Sequence, residues 1–149
     1  MKTTHTDKSI KLIEWLSADD MHSNSKEWLS ELEFVKDEHL FLEDLIKSFT
    51  LQLIDKEHFE ENKKVIETIS SFKKENETLL KLVNNHKNNL KILVDGIDQP
   101  KEEERYKNEH KHLTVTVHKF LKDYKLLKIQ LFDIIKDIKK TGKQKRLLE

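Results

Sequence analysis

Apolar side chains recur along this chain at alternating intervals of four and three residues, the rhythm of a helix that buries one seam. The first seam reads Trp28, Leu32, Val35, His39, Leu42, Ile46, Phe49, Leu53. The second reads Val65, Ile69, Phe72, Asn76, Leu79, Val83, His86, Leu90, Leu93. The third reads Tyr106, His110, Leu113, Val117, Phe120, Tyr124, Leu127, Leu131, Ile134, Ile138. The first two share a rhythm but are offset by two residues, about 200° of helix rotation. One unbroken helix would carry them on opposite sides. The pattern therefore predicts a turn near 54–57, with Asp55 as N-cap of the second long helix. A second turn is marked by Gly96, suited to the residue after a helix, and by Pro100, suited to a first helical turn. Glu102, Glu103 and Glu104 come next, where acids favour the positive end of the helix dipole.

A shorter stripe, Ile10, Ile13 and Leu16, predicts a helix over about 7–17, ended by Ala18-Asp19-Asp20. The long helices are expected at 24–54, 57–95 and 100–140, the first opened by Asn24 with Glu27 in a capping-box arrangement. Short connections make consecutive helices antiparallel neighbours. The expected architecture is all-α: an elongated antiparallel three-helix bundle with a short additional N-terminal helix, forming one domain over 1–149.

Composition narrows the chemistry. The 149 residues include 2 Gly, 1 Pro and no Cys. That excludes a disulfide framework, thiolate metal sites, a Cys nucleophile and a Gly-rich phosphate loop. It also leaves too few turn-formers for a sandwich or barrel. The chain lacks the strained nucleophile elbow and Gly-rich oxyanion loops of familiar hydrolases, which points away from catalysis. No apolar h-region opens the sequence and no run approaches the roughly 20 apolar residues of a membrane span. These features predict a soluble, cytoplasmic protein with no membrane partner.

Charge is balanced overall, at 28 basic and 28 acidic residues, but unevenly placed. Residues 1–61 sum to −8, residues 62–100 to +2 and residues 101–149 to +6. An acidic first part and a basic last part suggest complementary elements within one molecule or between two. Only two arginines occur, Arg105 and Arg146, and most basic residues alternate with acids. Nucleic acid is therefore a poorer expectation than protein, and the basic tail at 139–149 reads as a frayed, solvated helix end.

Candidate chemistry lies in the seams themselves. His39, His86 and His110 stand where Leu or Val belongs, as does Asn76. Burying such groups costs free energy unless their polar atoms find partners. In antiparallel register around a turn near 97.5, His86 and His110 face each other, with the first helix near Ser25 in the same layer. That layer gathers His22, His86, His110, Glu109 and Glu27 as candidate metal ligands, since imidazoles and carboxylates on facing helices can hold zinc, iron or manganese. The competing reading is a polar layer that fixes helix register, with no cofactor. His118-Lys119-Phe120-Leu121-Lys122-Asp123 resembles the His-x4-Asp element of hemerythrin-like proteins. The resemblance stops there: Asn62 follows His58 where that pattern has Glu, and Leu90 follows His86 where it has His. No family is assigned on it. The leading expectation is a non-catalytic bundle acting through a protein partner or a homodimer. The alternative is a metal-binding bundle.

Overall fold

The structure, a computed structural model, describes residues 16–55, 57–95 and 100–148. Among these the chain is 94% helical and has no strand. Four helices run in order: α1 over Ala18–Ser48, the single turn α2 over Thr50–Leu53, α3 over Phe59–Asp95 and α4 over Pro100–Leu148. The three long helices pack on one another as an all-α bundle. Cross-helix contacts set the directions. Asn24 meets His110 and Glu38 meets Tyr124, a constant offset that makes α1 and α4 parallel. Asn76 meets Leu32, and Lys73 meets Glu43 further along α1, so α3 runs against α1. Helix α1 lies close along α3, whereas its backbone approaches α4 at few places.

The three seams form the core. Leu32, Leu42, Val83, Leu90, Val117 and Leu131 are fully buried. Each such side chain contributes roughly 1.5–3 kcal/mol by leaving water. At the end of the third seam Ile135, rather than Ile134, takes the buried position. Phe72 and Leu93, expected in the core, are half-buried.

Several expected boundaries move. Helix α1 starts at Ala18, six residues before 24, because Ser17 caps it. The Ser17 hydroxyl accepts from the Asp20 amide at 3.1 Å, and the Asp20 carboxylate accepts from the Ser17 amide at 3.2 Å. This reciprocal capping box outcompetes the one expected at Asn24 and Glu27. Ala18-Asp19-Asp20 therefore opens a helix instead of ending one, with both acids at the positive end of its dipole. The seam gains Met21 and Ser25 at its head, both fully buried.

The first helix breaks at Phe49, not after 54, and α2 adds one more turn. Asp55 caps no adjacent helix, since α3 opens at Phe59; its carbonyl oxygen accepts from the His58 amide within the turn. The buried Asn62 side chain holds this turn, donating to the Leu53 carbonyl at 2.9 Å. Pro100 opens α4 as expected, while Gly96 lies outside the described residues. Helix α4 continues to Leu148, so the basic tail is helical past 140. The helix expected over 7–17 falls outside the described residues except for Leu16 and Ser17, which are not helical.

Candidate polar layer in the bundle core

The core is divided by polarity. A large apolar cluster runs from Trp28 and Leu113 to Leu53 and Ile135. A smaller one holds Met21, Leu90 and Tyr106, with Leu16 and Leu93 against it. Between them lies a polar layer supplied by all three long helices. Helix α1 brings Asn24 and Ser25, α3 brings His86, and α4 brings Glu109 and His110. Ser25, His86 and His110 are fully buried.

The layer is a continuous hydrogen-bonded chain. His86 Nδ1 lies 2.8 Å from Glu109 Oε1, His86 Nε2 lies 2.9 Å from His110 Nδ1, and His110 Nε2 lies 3.3 Å from Asn24 Nδ2. The chemistry of the ends assigns the protons. A carboxylate only accepts, so His86 Nδ1 carries hydrogen and donates to Glu109. A neutral His86 then presents a bare Nε2, which accepts from His110 Nδ1. His110 Nε2 is bare in turn and accepts from the Asn24 amide. One tautomer at each ring satisfies all four groups with both imidazoles neutral. The indole of Trp28 stacks on His110 at 4.7 Å between centroids and 25° between planes, fixing that ring. Ser25 satisfies its own hydroxyl on the Met21 carbonyl at 2.8 Å.

Electrostatics favour the neutral state. Burial, then the neighbouring His86, pushes the His110 imidazole down from 6.5 to about 3. Burial also lowers His86, against the opposing pull of the Glu109 carboxylate. Glu109 is 40% exposed, so its charge stays hydrated while it anchors the chain of bonds. Protonating His86 would require Nε2 to donate, His110 to shift its proton to Nε2 and the Asn24 amide to turn over.

The five residues expected as ligands do not all meet. His86, His110 and Glu109 come together, but in a line: Glu109 sits on the ring nitrogen of His86 that faces away from His110. A carboxylate there orients an imidazole rather than sharing a metal with it. His22 is half-buried near the N-terminus of α1, its pKa lowered by burial and by Lys26, Lys87 and Lys91. Glu27 is exposed. Among the described residues no three His, Asp or Glu side chains converge so as to hold a metal ion. Asn24, which completes the chain, is not among the residues expected from the sequence. It sits one position off the seam, where periodicity gives no signal.

A second polar pair lies further along the bundle. His39 and Asn76 are buried beside a cleft of about 100 Å³ that Lys73 and Glu77 also line. Asn76 donates to the Leu32 carbonyl at 3.0 Å, but its Oδ1 has no partner among the described residues. Neither ring nitrogen of His39 makes a hydrogen bond there. Its Nε2 lies 3.3 Å from Glu43 Oε1, outside hydrogen-bonding geometry, while Lys73 holds that same oxygen at 3.0 Å.

Away from the core, Glu38 ties α1 to α4. It accepts from the Tyr124 hydroxyl at 2.8 Å and pairs with Lys128 at 2.8 Å. Phe34 and Phe41, one turn before and one after Glu38 on the same flank, are 64% and 58% exposed. On α4, Leu121 and Phe132 lie before and after Lys128 and are half-buried against the core. No described helix is long and apolar enough to cross a membrane.

No family model, curated protein sequence or solved structure matches this chain.

Proposed function

We propose that this chain is a non-catalytic helical bundle that works by binding another protein, or a second copy of itself, through an exposed helix face. One observation carries this reading: Phe34 and Phe41 remain exposed on α1, one turn to either side of the Glu38 bridge to α4. Three helices enclose the seams but leave these two rings uncovered among the described residues. Two exposed aromatic rings a heptad apart offer the anchor spacing that an amphipathic helix reads. Aromatic side chains grouped on one exposed face are the kind of residue that anchors protein interfaces.

The polar layer supports a structural role for the histidines within this reading. Both ring nitrogens of His86 and of His110 are committed to protein partners, which pins the register of three helices.

A photo-crosslinking residue placed at position 41 tests the proposal in the cell of origin, with position 64, on a polar exposed face, as control. Discrete protein adducts at 41 and none at 64 are expected. Equal diffuse labelling at both positions would sink it.

A further inference from the structure

The end of the bundle that carries the α1–α3 turn presents both halves of a complementary surface. The turn exposes Leu51, at 79%, and Ile54, rimmed by the exposed acids Asp55, Glu57 and Glu61. Beside it runs the last part of α4, with exposed Lys143, Arg146 and Leu147, the last at 85%. Between turn and tail lies an open cleft of about 920 Å³, floored by Phe49, Ile134 and Ile138. The turn side of the cleft carries Asp55, Glu57 and Glu61, and the α4 side carries Lys139, Lys143 and Arg146 with Asp137, yet among the described residues no ion pair joins Lys143 or Arg146 to the acids of the turn.

The tail also reaches past the bundle. Asn24–His110 and Glu38–Tyr124 share an offset of 86 residues, which puts Leu53 level with Lys139. Helix α4 continues to Leu148, about nine residues or ~13 Å further. Lys143 and Arg146 border the same cleft as the acidic turn, the helix end at Leu147 and Leu148 lies further along, and among the described residues no ion pair closes this tail on the turn.

We infer that this end is a twofold interface between two copies of the chain, each laying the last turns of its α4 against the acid-rimmed turn of the other. A twofold contact uses the same patch on both partners, so it requires the two complementary halves to sit at one end of one molecule, as they do here. A twofold axis across the bundle end sets the two tails antiparallel, each projecting alongside the other's turn. Lys143 and Arg146 then meet Glu57 and Glu61, and Leu147 meets Leu51 and Ile54. The dimer draws on the charge asymmetry of the sequence, −8 in its first 61 residues and +6 in its last 49. The inference rests on the association reading but uses a different surface from the Phe34–Phe41 flank.

Sedimentation equilibrium of the full chain, over a range of concentration and salt, tests it with charge reversal. Lys143→Glu with Arg146→Glu makes both tail and turn acidic. Glu57→Lys with Glu61→Lys makes both basic. Each double variant alone should dimerise at least about tenfold more weakly than the parent. Mixed one to one, they should recover the dimer, because both tail–turn pairs in the mixed species are then opposite in sign. Far-UV spectra of each variant report retained helix, and the mixture itself rules out loss by misfolding. A parent that stays monomeric to roughly several hundred micromolar, or a mixture with no recovery, would overturn the inference. So would a dimer abolished by Phe34→Glu with Phe41→Glu but indifferent to both charge variants. That last result would leave the association reading standing on its own flank.

Discussion

Two polar layers interrupt the hydrophobic core, roughly 20 Å apart along α1. At Ser25 the intruding groups come from three helices and satisfy one another: Asn24, His110, His86 and Glu109 form one chain of hydrogen bonds. At His39 the intruders come from two helices and do not. Asn76 spends one N–H on the Leu32 carbonyl, and its oxygen and both His39 nitrogens are left over. Each residue in the two layers is a seam position by spacing, or next to one. The difference is not burial, since His39, Asn76, His86 and His110 are all at most 2% exposed. It is complementarity. A layer whose donors and acceptors match specifies register at little cost, whereas an unmatched one carries the desolvation penalty of each orphaned atom.

Leu79, an apolar residue between the layers, sets the scale. It is 3% exposed, and Leu79→Ala should cost about 2–5 kcal/mol in urea unfolding, through lost burial and the cavity left behind. Cutting the matched layer in half comes next. His110→Leu leaves the His86 Nε2 and the Asn24 amide without their partner and should cost about 2–4 kcal/mol. Replacing His86 and His110 together by Leu removes both halves of the buried bond and should return stability to within about 1 kcal/mol of the parent. A double variant as unstable as the sum of its singles would show that the layer is not one unit.

Acid should probe the matched layer as well. Both imidazoles of the matched layer have folded pKa values lowered from 6.5, His110 to about 3. Below 6.5 the unfolded chain therefore binds more protons than the folded one. The stability these rings confer is complete above pH 6.5 and is lost progressively as pH falls through that value toward 3. The parent should lose more stability than the double Leu variant between pH 7 and 4, the difference reaching a few kcal/mol. Identical pH profiles would mean that the rings are hydrated in solution and that the layer is open.

At the unmatched layer the sign reverses. His39 makes no hydrogen bond among the described residues, so His39→Leu loses none and removes two orphaned nitrogens. Chemical unfolding should show a gain of about 0.5–2 kcal/mol. A loss instead would reveal a partner for His39, and the two layers would then be alike.

The same physics decides how far these layers are legible in the sequence. Seam spacing and antiparallel register place His86 against His110, because both depend only on helical period and turn position. Glu109 is within reach as the preceding residue on α4. Asn24 escapes the pattern because it lies beside the seam, where a side chain's direction decides its role. Its local sequence also suits a cap. Two capping boxes compete over residues 17–27, and tertiary burial of Met21 favours the earlier one. The phase change predicts the turn near 55, but not the Asn62 bond that closes it, since no local pattern encodes a nine-residue reach back to Leu53. The unmatched state of His39 is equally hidden. Its register neighbours are visible, while the side-chain geometry that brings both His39 and Lys73 to one Glu43 oxygen is not.

Lys73 therefore gives the smallest effect and the finest discrimination. Its ammonium pairs with Glu43 at 3.0 Å, and both side chains are more than a third exposed. Such a pair contributes little, so Lys73→Ala should change stability by less than about 0.5 kcal/mol at pH 7.5. Its consequence should appear at His39. Burial lowers the His39 imidazole, Glu43 opposes that shift, and Lys73 adds to it. Removing the ammonium takes away the lowering charge and frees the Glu43 carboxylate to turn toward Nε2. The His39 resonance followed by NMR should then titrate at higher pH than in the parent, while the His86 and His110 resonances stay unmoved. A His39 that does not shift would mean that Glu43 stays out of line with Nε2 without Lys73. The missing hydrogen bond would then be set by the backbone of α1, not by competition for a carboxylate.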